Sequence, residues 1–97
     1  MVVDKVLKNT FSNKRILITG GTGSIGIGLI KQLLPLKPKI IRVLTNDENS
    51  IFESLRKFGK NNLLEYQMAD VRDKERLDFV IRGIDIVFHA AAMKHVD

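Results

Sequence analysis

Thr19-Gly20-Gly21-Thr22-Gly23-Ser24-Ile25-Gly26 follows the continuous apolar run Ile16-Leu17-Ile18 and opens a segment in which Ile25, Leu29, Ile30, Leu33 and Leu34 recur at helical spacing. A continuous apolar run is expected of a strand buried on both faces. The glycines therefore lie where a strand gives way to a helix, spaced Gly-x-x-Gly-x-x-Gly. Each glycine has its own steric role. Gly20 permits a tight turn, Gly23 lets backbone approach a pyrophosphate, and Gly26 lets the helix lie close to the strand. The free N–H groups and positive dipole end of that helix then face the phosphates, so binding needs no cationic side chain. Thr22 and Ser24 can add hydroxyl donors. A glycine-rich turn can also be no more than a tight connection; its place between strand and helix is what favours a dinucleotide. A P-loop is excluded because no Gly-Lys-Ser/Thr closes the motif.

Short β-rich runs alternate with helix-length segments on either side, the pattern of parallel strands joined by crossover helices. The first helix is predicted over Ser24 to Leu34, ended by Pro35 and Pro38, which cannot supply the N–H of a continuing helix. Ile40 to Thr45 reads as strand two and Asn46-Asp47-Glu48-Asn49 as a turn. Ser50-Ile51-Phe52-Glu53 fits a capping box, and Gly59 suits the stop of helix two. Strand three is predicted from Leu63 to Met68 or Ala69. Asp73 can cap a third helix carrying Leu77, Phe79, Val80 and Ile81 to a stop near Gly83, and strand four runs from Ile84 to His89. Residues 1–13 read as a leader. No internal repeat or interdomain linker is visible. The expected fold is a Rossmann-type three-layer α/β/α arrangement with a parallel sheet of about four strands, ordered 3-2-1-4.

The chain has 97 residues, 44% of them apolar and 28% charged, the composition of a globular domain and room for at most one. No apolar run approaches the roughly 18 residues of a membrane span, and no secretory signal is present, so a cytoplasmic location is expected. The absence of cysteine rules out a disulfide framework and agrees with a reducing compartment. The formal charge of +5 is scattered among acidic residues, Tyr66 is the sole tyrosine and there is no tryptophan. Nucleic-acid binding would need a basic stripe interleaved with stacking rings, and none is expected. His89 and His95 lack carboxylate or cysteine partners at ligand spacing, which argues against a metal. The run Arg72-Asp73-Lys74-Glu75-Arg76 is most simply the exposed start of helix three.

An acidic residue about 20 positions after the glycines should accept from the adenosine ribose hydroxyls. Asp47 stands near that place, although a turn or cap residue would look the same. Asn46 beside it can bond a ribose hydroxyl or phosphate oxygen without charge. Arg42 lies within a strand, and its direction is not legible in sequence, so NAD and NADP both remain open.

Three motifs in order, Thr-Gly-x-x-Gly-x-x-Gly, Asp70-Val71 after strand three and His89-Ala90-Ala91-Ala92 after strand four, resemble the extended short-chain dehydrogenase/reductase superfamily. The fuller strings Asp70-Val71-Arg72-Asp73 and His89-Ala90-Ala91-Ala92-Met93-Lys94-His95-Val96 look like its CapD-like polysaccharide-biosynthesis branch, typified by UDP-N-acetylglucosamine 4,6-dehydratases. The resemblance covers nearly the whole chain from about Phe11 to Asp97. It implies that Thr22, Gly23, Ser24 and Ile25 hold the pyrophosphate and that Asn46 to Ile51, with Asp47 and Glu48, surround the ribose. It implies that Asp70 and Val71 contact adenine and that Ala90, Ala91 and Ala92 line the nicotinamide side. Lys94 would reach both cofactor and sugar nucleotide. For Asp70 the plain alternative is a helix cap, for the alanines close packing, and for Lys94 a solvated surface position. The family pattern usually has Arg where this chain has Asn46, which removes an obvious partner for a 2′-phosphate.

The resemblance also implies a hydride-transfer enzyme, a lyase or epimerase of nucleotide-sugars, with a UDP-N-acetyl-hexosamine as substrate and homo-oligomers as the assembly. Its catalytic Tyr-x-x-x-Lys is absent: four positions after Tyr66 stands Asp70. Residues 1–97 are therefore expected to be the N-terminal part of a single NAD(P)-binding domain, inactive alone, with no catalytic residue assigned. Another extended reductase or epimerase, and a stand-alone non-catalytic dinucleotide-binding module, are the alternatives. Strand four, left at an open edge, is expected to drive self-association.

Overall fold

The computed structural model describes residues 9–20, 23–70 and 72–90. Strands β1 (Arg15–Thr19), β2 (Ile40–Thr45), β3 (Leu64–Met68) and β4 (Ile86–His89) alternate with helices α1 (Gly23–Leu33), α2 (Glu48–Phe58) and α3 (Lys74–Val80). All strand pairs are parallel and their order is β3-β2-β1-β4, as the alternation of the sequence implies. In register, Ile18 lies beside Val43 on one side and Phe88 on the other.

Strand β1 is central because it is apolar at consecutive positions and so can be buried on both faces. Ile16 and Ile18 pack with Ile30 and Leu33 of α1, whereas Leu17 points the other way, onto Leu44 and Val80 of α3. Ile16, Leu17 and Ile18 are fully buried, each contributing about 1.5–3 kcal/mol of hydrophobic stabilisation. Helix α2 covers the same face as α1: Phe58 joins that cluster, and Ser54 Oγ hydrogen-bonds Tyr66 Oη at 2.5 Å. The result is the expected three-layer α/β/α arrangement.

Several boundaries differ from expectation, each for a local reason. Helix α1 ends at Leu33, and a 3-10 turn over Leu34–Leu36 accommodates Pro35 before Lys37 turns the chain at φ 57°. Ile25, expected in the apolar stripe, is 51% exposed. Helix α2 begins at Glu48 with Asp47 as its cap, not at a Ser50–Glu53 box. Asp47 Oδ1 accepts from the Asn49 N–H and Oδ2 from the Ser50 hydroxyl, both at 3.0 Å, leaving Ser50 buried within the first turn. Gly59 ends α2 at φ 68° and Asp73 caps α3, as expected. Helix α3 is short, and Phe79 and Ile81 are exposed while Val80 and Leu77 face the sheet. Strand β4 starts at Ile86, two residues late, because Asp85 uses its carboxylate to accept the Arg15 N–H at 2.8 Å.

Candidate functional site

The carboxyl ends of all four strands lie along one edge, where three backbone hydrogen bonds continue the ladder past the strands. The Gly20 N–H donates to the Leu44 carbonyl at 2.9 Å, Ala69 to Thr45 at 2.9 Å and Ala90 to Thr19 at 2.8 Å. Gly20, Asn46–Asp47, Asp70 and Ala90 are thus drawn from four separate loops onto the same edge. In open α/β sheets this edge holds the ligand crevice, at the point where strand order reverses. Here the reversal falls between β1 and β4.

Gly20 adopts φ 63°, a left-handed conformation that costs glycine nothing and other residues more. The chain can therefore turn sharply from β1 into α1, whose first N–H groups have no partner within the helix. Gly26 is buried, as close approach of helix to sheet requires. The backbone of Gly23, Ser24 and Ile25 forms the opening turn of α1, and the half-exposed Ile25 side chain stands clear of the core. Thr22 lies outside the described residues.

At the end of β2 the Asp47 N–H is held by Thr45 Oγ1 at 3.1 Å, and the carboxylate is engaged as the helix cap. Asp47 is thus a cap residue whose exposed oxygens keep further acceptor capacity. Asn46 and Glu48 flank it, both exposed. Arg42 is committed elsewhere: Nε meets Glu65 Oε1 at 3.1 Å and Nη1 donates to the Val80 carbonyl at 2.7 Å. It ties β2 to β3 and α3 on the sheet face, so it takes no part in this edge.

Asp70, at the end of β3, is not a helix cap. It accepts from the Arg72 backbone N–H at 2.8 Å and from the Arg72 guanidinium, with Nη2 at 2.7 Å from Oδ2. The guanidinium hydrogen bonds, followed by the backbone N–H, lower the Asp70 carboxyl from 3.8 to about 2. The same contact raises the Arg72 guanidinium. Sequence reasoning read Arg72 only as an exposed helix start. The Asp-x-Arg spacing, which lets a turn residue reach back to a carboxylate two positions earlier, was the available signal.

At the end of β4 Ala90 is buried. His89, the last residue of β4, is exposed, and β4 has no strand beyond it among the described residues. Its Nδ1 meets Thr19 Oγ1 at 2.6 Å. Val71, Ala91, Ala92 and Lys94 lie outside the described residues, so their expected contacts with adenine, nicotinamide and substrate have no geometry here. Among the described residues no His, Cys, Asp or Glu group is placed to hold a metal, and no helix is long and apolar enough to cross a membrane.

A doubly wound parallel sheet with a glycine turn at its carboxyl edge defines a Rossmann-like α/β dehydrogenase fold. The chain belongs to the polysaccharide biosynthesis protein family, whose model matches residues 16–97. Among curated relatives, the inverting UDP-N-acetylglucosamine 4,6-dehydratase of Campylobacter jejuni is 51% identical over 87 residues, which make up 89% of this chain and 26% of that enzyme. The uncharacterized membrane protein MJ1061 of Methanocaldococcus jannaschii is 47% identical over 90 residues, 93% of this chain and 27% of its own length. The chain thus spans about a quarter of the length of these relatives. Among solved structures, Pen from Bacillus thuringiensis superposes with a TM-score of 0.81 at 40% identity, over 89% of this chain and 27% of Pen. WbmF of Bordetella bronchiseptica, solved with NAD+ and UDP, shares the fold with a TM-score of 0.69 at 22% identity, over 82% of this chain and 23% of WbmF.

Proposed function

We propose that this chain is the NAD(P)-binding portion of a nucleotide-sugar 4,6-dehydratase or epimerase of polysaccharide biosynthesis. The observation that carries the reading is the left-handed Gly20 turn, which delivers the N-terminus of α1 to the edge where Asp47, Asp70 and Ala90 converge. The donor set fits a dinucleotide. Unpaired helix N–H groups suit a pyrophosphate, and an exposed carboxylate at the end of β2 suits ribose hydroxyls. A second carboxylate at the end of β3 suits the amino group of adenine.

A bound nicotinamide supplies the hydride acceptor for oxidising a sugar hydroxyl. The residues of this chain bind and orient: the α1 backbone fixes the phosphates, Asp47 the ribose and Asp70 the base. Ala90 to Ala92 leave room beside the nicotinamide, and Lys94 offers an ammonium to phosphate or hydroxyl oxygens of cofactor and UDP-N-acetyl-hexosamine. We place the reaction in the cytoplasm, in keeping with a chain free of cysteine. The proton-transfer pair of the reaction is not among these residues.

Calorimetric titration of the chain with NAD and NADP tests the binding role. A saturable, one-to-one isotherm with at least one of them is expected, and no binding of either would overturn it. Assay of the complete protein on UDP-N-acetylglucosamine tests the substrate class. Loss of water to give a 4-keto-6-deoxy sugar nucleotide, or epimerisation of the sugar, is expected, and turnover only of unrelated carbonyl substrates would contradict it.

A further inference from the structure

The charge that is scattered along the sequence is segregated in the fold. Every strand starts at the edge opposite the Gly20 turn, because each crossover of a parallel sheet returns the chain to that side. Lys14 and Arg15 stand at the start of β1, Lys37 and Lys39 ahead of β2, Lys60 ahead of β3 and Arg82 ahead of β4, all exposed. Backbone hydrogen bonds join these starts. The Asn13 N–H donates to the Lys37 carbonyl at 2.9 Å, the Lys39 N–H to the Lys14 carbonyl at 2.8 Å and the Asp85 N–H to the Arg15 carbonyl at 2.8 Å. Neighbouring strands lie about 4.8 Å apart, so the cations form one row roughly 15 Å wide. The strand-start carboxylate, Asp85, is spent on the Arg15 backbone N–H. Among the described residues none of these basic side chains forms an ion pair. At the opposite, carboxyl edge stand Asp47, Glu48, Asp70, Asp73 and Glu75.

Cations in the last turn of a helix offset its negative end, and that accounts for Lys31, Arg56 and Lys57. It does not account for Lys14 and Lys39, which stand directly ahead of strands. The partner that such a row fits is a flat anionic surface. A single-stranded nucleic acid is held by cations interleaved with open stacking rings, whereas the exposed ring beside this row, Phe79, already lies under the Arg82 guanidinium at 6.0 Å. Exposed Phe79 and Ile81 next to Arg82 add the mixture of apolar and basic side chains that suits a lipid headgroup boundary.

We propose that the amino edge of the sheet is a docking surface for an anionic phospholipid membrane, met peripherally and without a spanning segment. Each lysine or arginine held near such a surface contributes roughly fivefold to partitioning. Docked in this way, the carboxyl edge faces away from the bilayer, and Gly20, Asp47 and Asp70 stay open to solution. The docking does not depend on what the carboxyl edge binds.

Co-sedimentation of the full chain with vesicles tests this, using phosphatidylcholine alone and phosphatidylcholine with about one-third phosphatidylglycerol. A sample without vesicles corrects for sedimentation of the protein itself. Binding to the anionic vesicles should exceed binding to the neutral ones by about a hundredfold, and should fall by about tenfold or more between roughly 0.05 M and 0.5 M salt. Lys14→Gln with Lys39→Gln should weaken it by about tenfold or more, and Lys37→Gln with Lys60→Gln, both in loops, should do the same. Lys74→Gln with Arg76→Gln removes as much charge from the start of α3, at the carboxyl edge, and should change binding by less than about twofold. Circular dichroism shows that each variant folds. Equal weakening by substitutions at the two edges, equal binding to neutral vesicles, or tighter binding to a DNA duplex than to anionic vesicles at the same salt would overturn the proposal.

Discussion

Thr19 and His89 are register partners at the carboxyl ends of β1 and β4, and a hydrogen bond of 2.6 Å joins Thr19 Oγ1 to His89 Nδ1. They join the two parallel strands between which the strand order reverses, one residue before the Gly20 turn. The bond therefore clasps the site edge where no loop connects the two strands directly. Thr19→Val keeps the shape of a buried side chain and removes its hydroxyl, so it should lower unfolding free energy by about 1 kcal/mol in urea denaturation. A double-mutant cycle with His89→Ala should give a coupling of about 0.5–1.5 kcal/mol. Strictly additive effects would show that the contact does not hold the strands.

At the end of β2, Asn46 is exposed beside Asp47, and Arg42 is bound within the sheet. Asn46→Arg should shift preference toward NADP by about tenfold, since a guanidinium pairs with a phosphate through charge-assisted hydrogen bonds. Titration of wild type and variant with both cofactors checks this. No shift would mean that the ribose lies elsewhere.

The sheet order, the three layers and the glycine turn were legible because they follow from backbone chemistry: apolar runs too short for helices, glycine where φ must be positive, aspartate or glycine at helix ends. Side-chain commitments were not legible. Asp47 caps α2 in place of the Ser50 box because an aspartate at the strand end accepts the Asn49 N–H and the Ser50 hydroxyl, which starts the helix at Glu48 and places Ser50 inside its first turn. Arg42 and Arg72 look alike in sequence, yet one is tied to Glu65 and Val80 across the sheet and the other to Asp70 in a loop. Which acceptor an arginine meets depends on strand register and turn geometry, and composition carries neither. The exposure of Ile25, Phe79 and Ile81 escaped sequence reasoning because helical spacing marks an apolar side but not how much of it the sheet can cover.

Asp70 should titrate far below its ordinary 3.8, at about 2, when followed by carbon-detected NMR. Its folded value is depressed, so the stabilisation from the Arg72 contact is fully present above pH 3.8 and is lost as the pH falls through about 2. In Arg72→Ala the midpoint should return toward 3.8 and the chain should lose this acid-range dependence. A midpoint unmoved by the substitution would show that Arg72 is not the cause.

Strand β4 presents an outer edge without a strand neighbour among the described residues, and beside it lies a groove of about 330 Å³ lined by Leu17, Leu77, Ile81 and Val87. Val87 is 47% exposed. Open, flat, apolar edges recruit other chains, so the 97-residue chain in isolation should self-associate. Val87→Lys should shift sedimentation toward monomer. A monodisperse wild-type monomer with a cooperative melt would contradict this.

The central claim is that backbone at the turn after β1 lies against a pyrophosphate, and Gly23→Val measures it most directly. A branched side chain would occupy the space the phosphates need, while α1 keeps its packing through Ile30 and Leu33. Calorimetric titration with NAD, run beside circular dichroism, should show binding lost by about a hundredfold or more with the far-ultraviolet spectrum retained. Wild-type affinity in a folded Gly23→Val chain would contradict the claim.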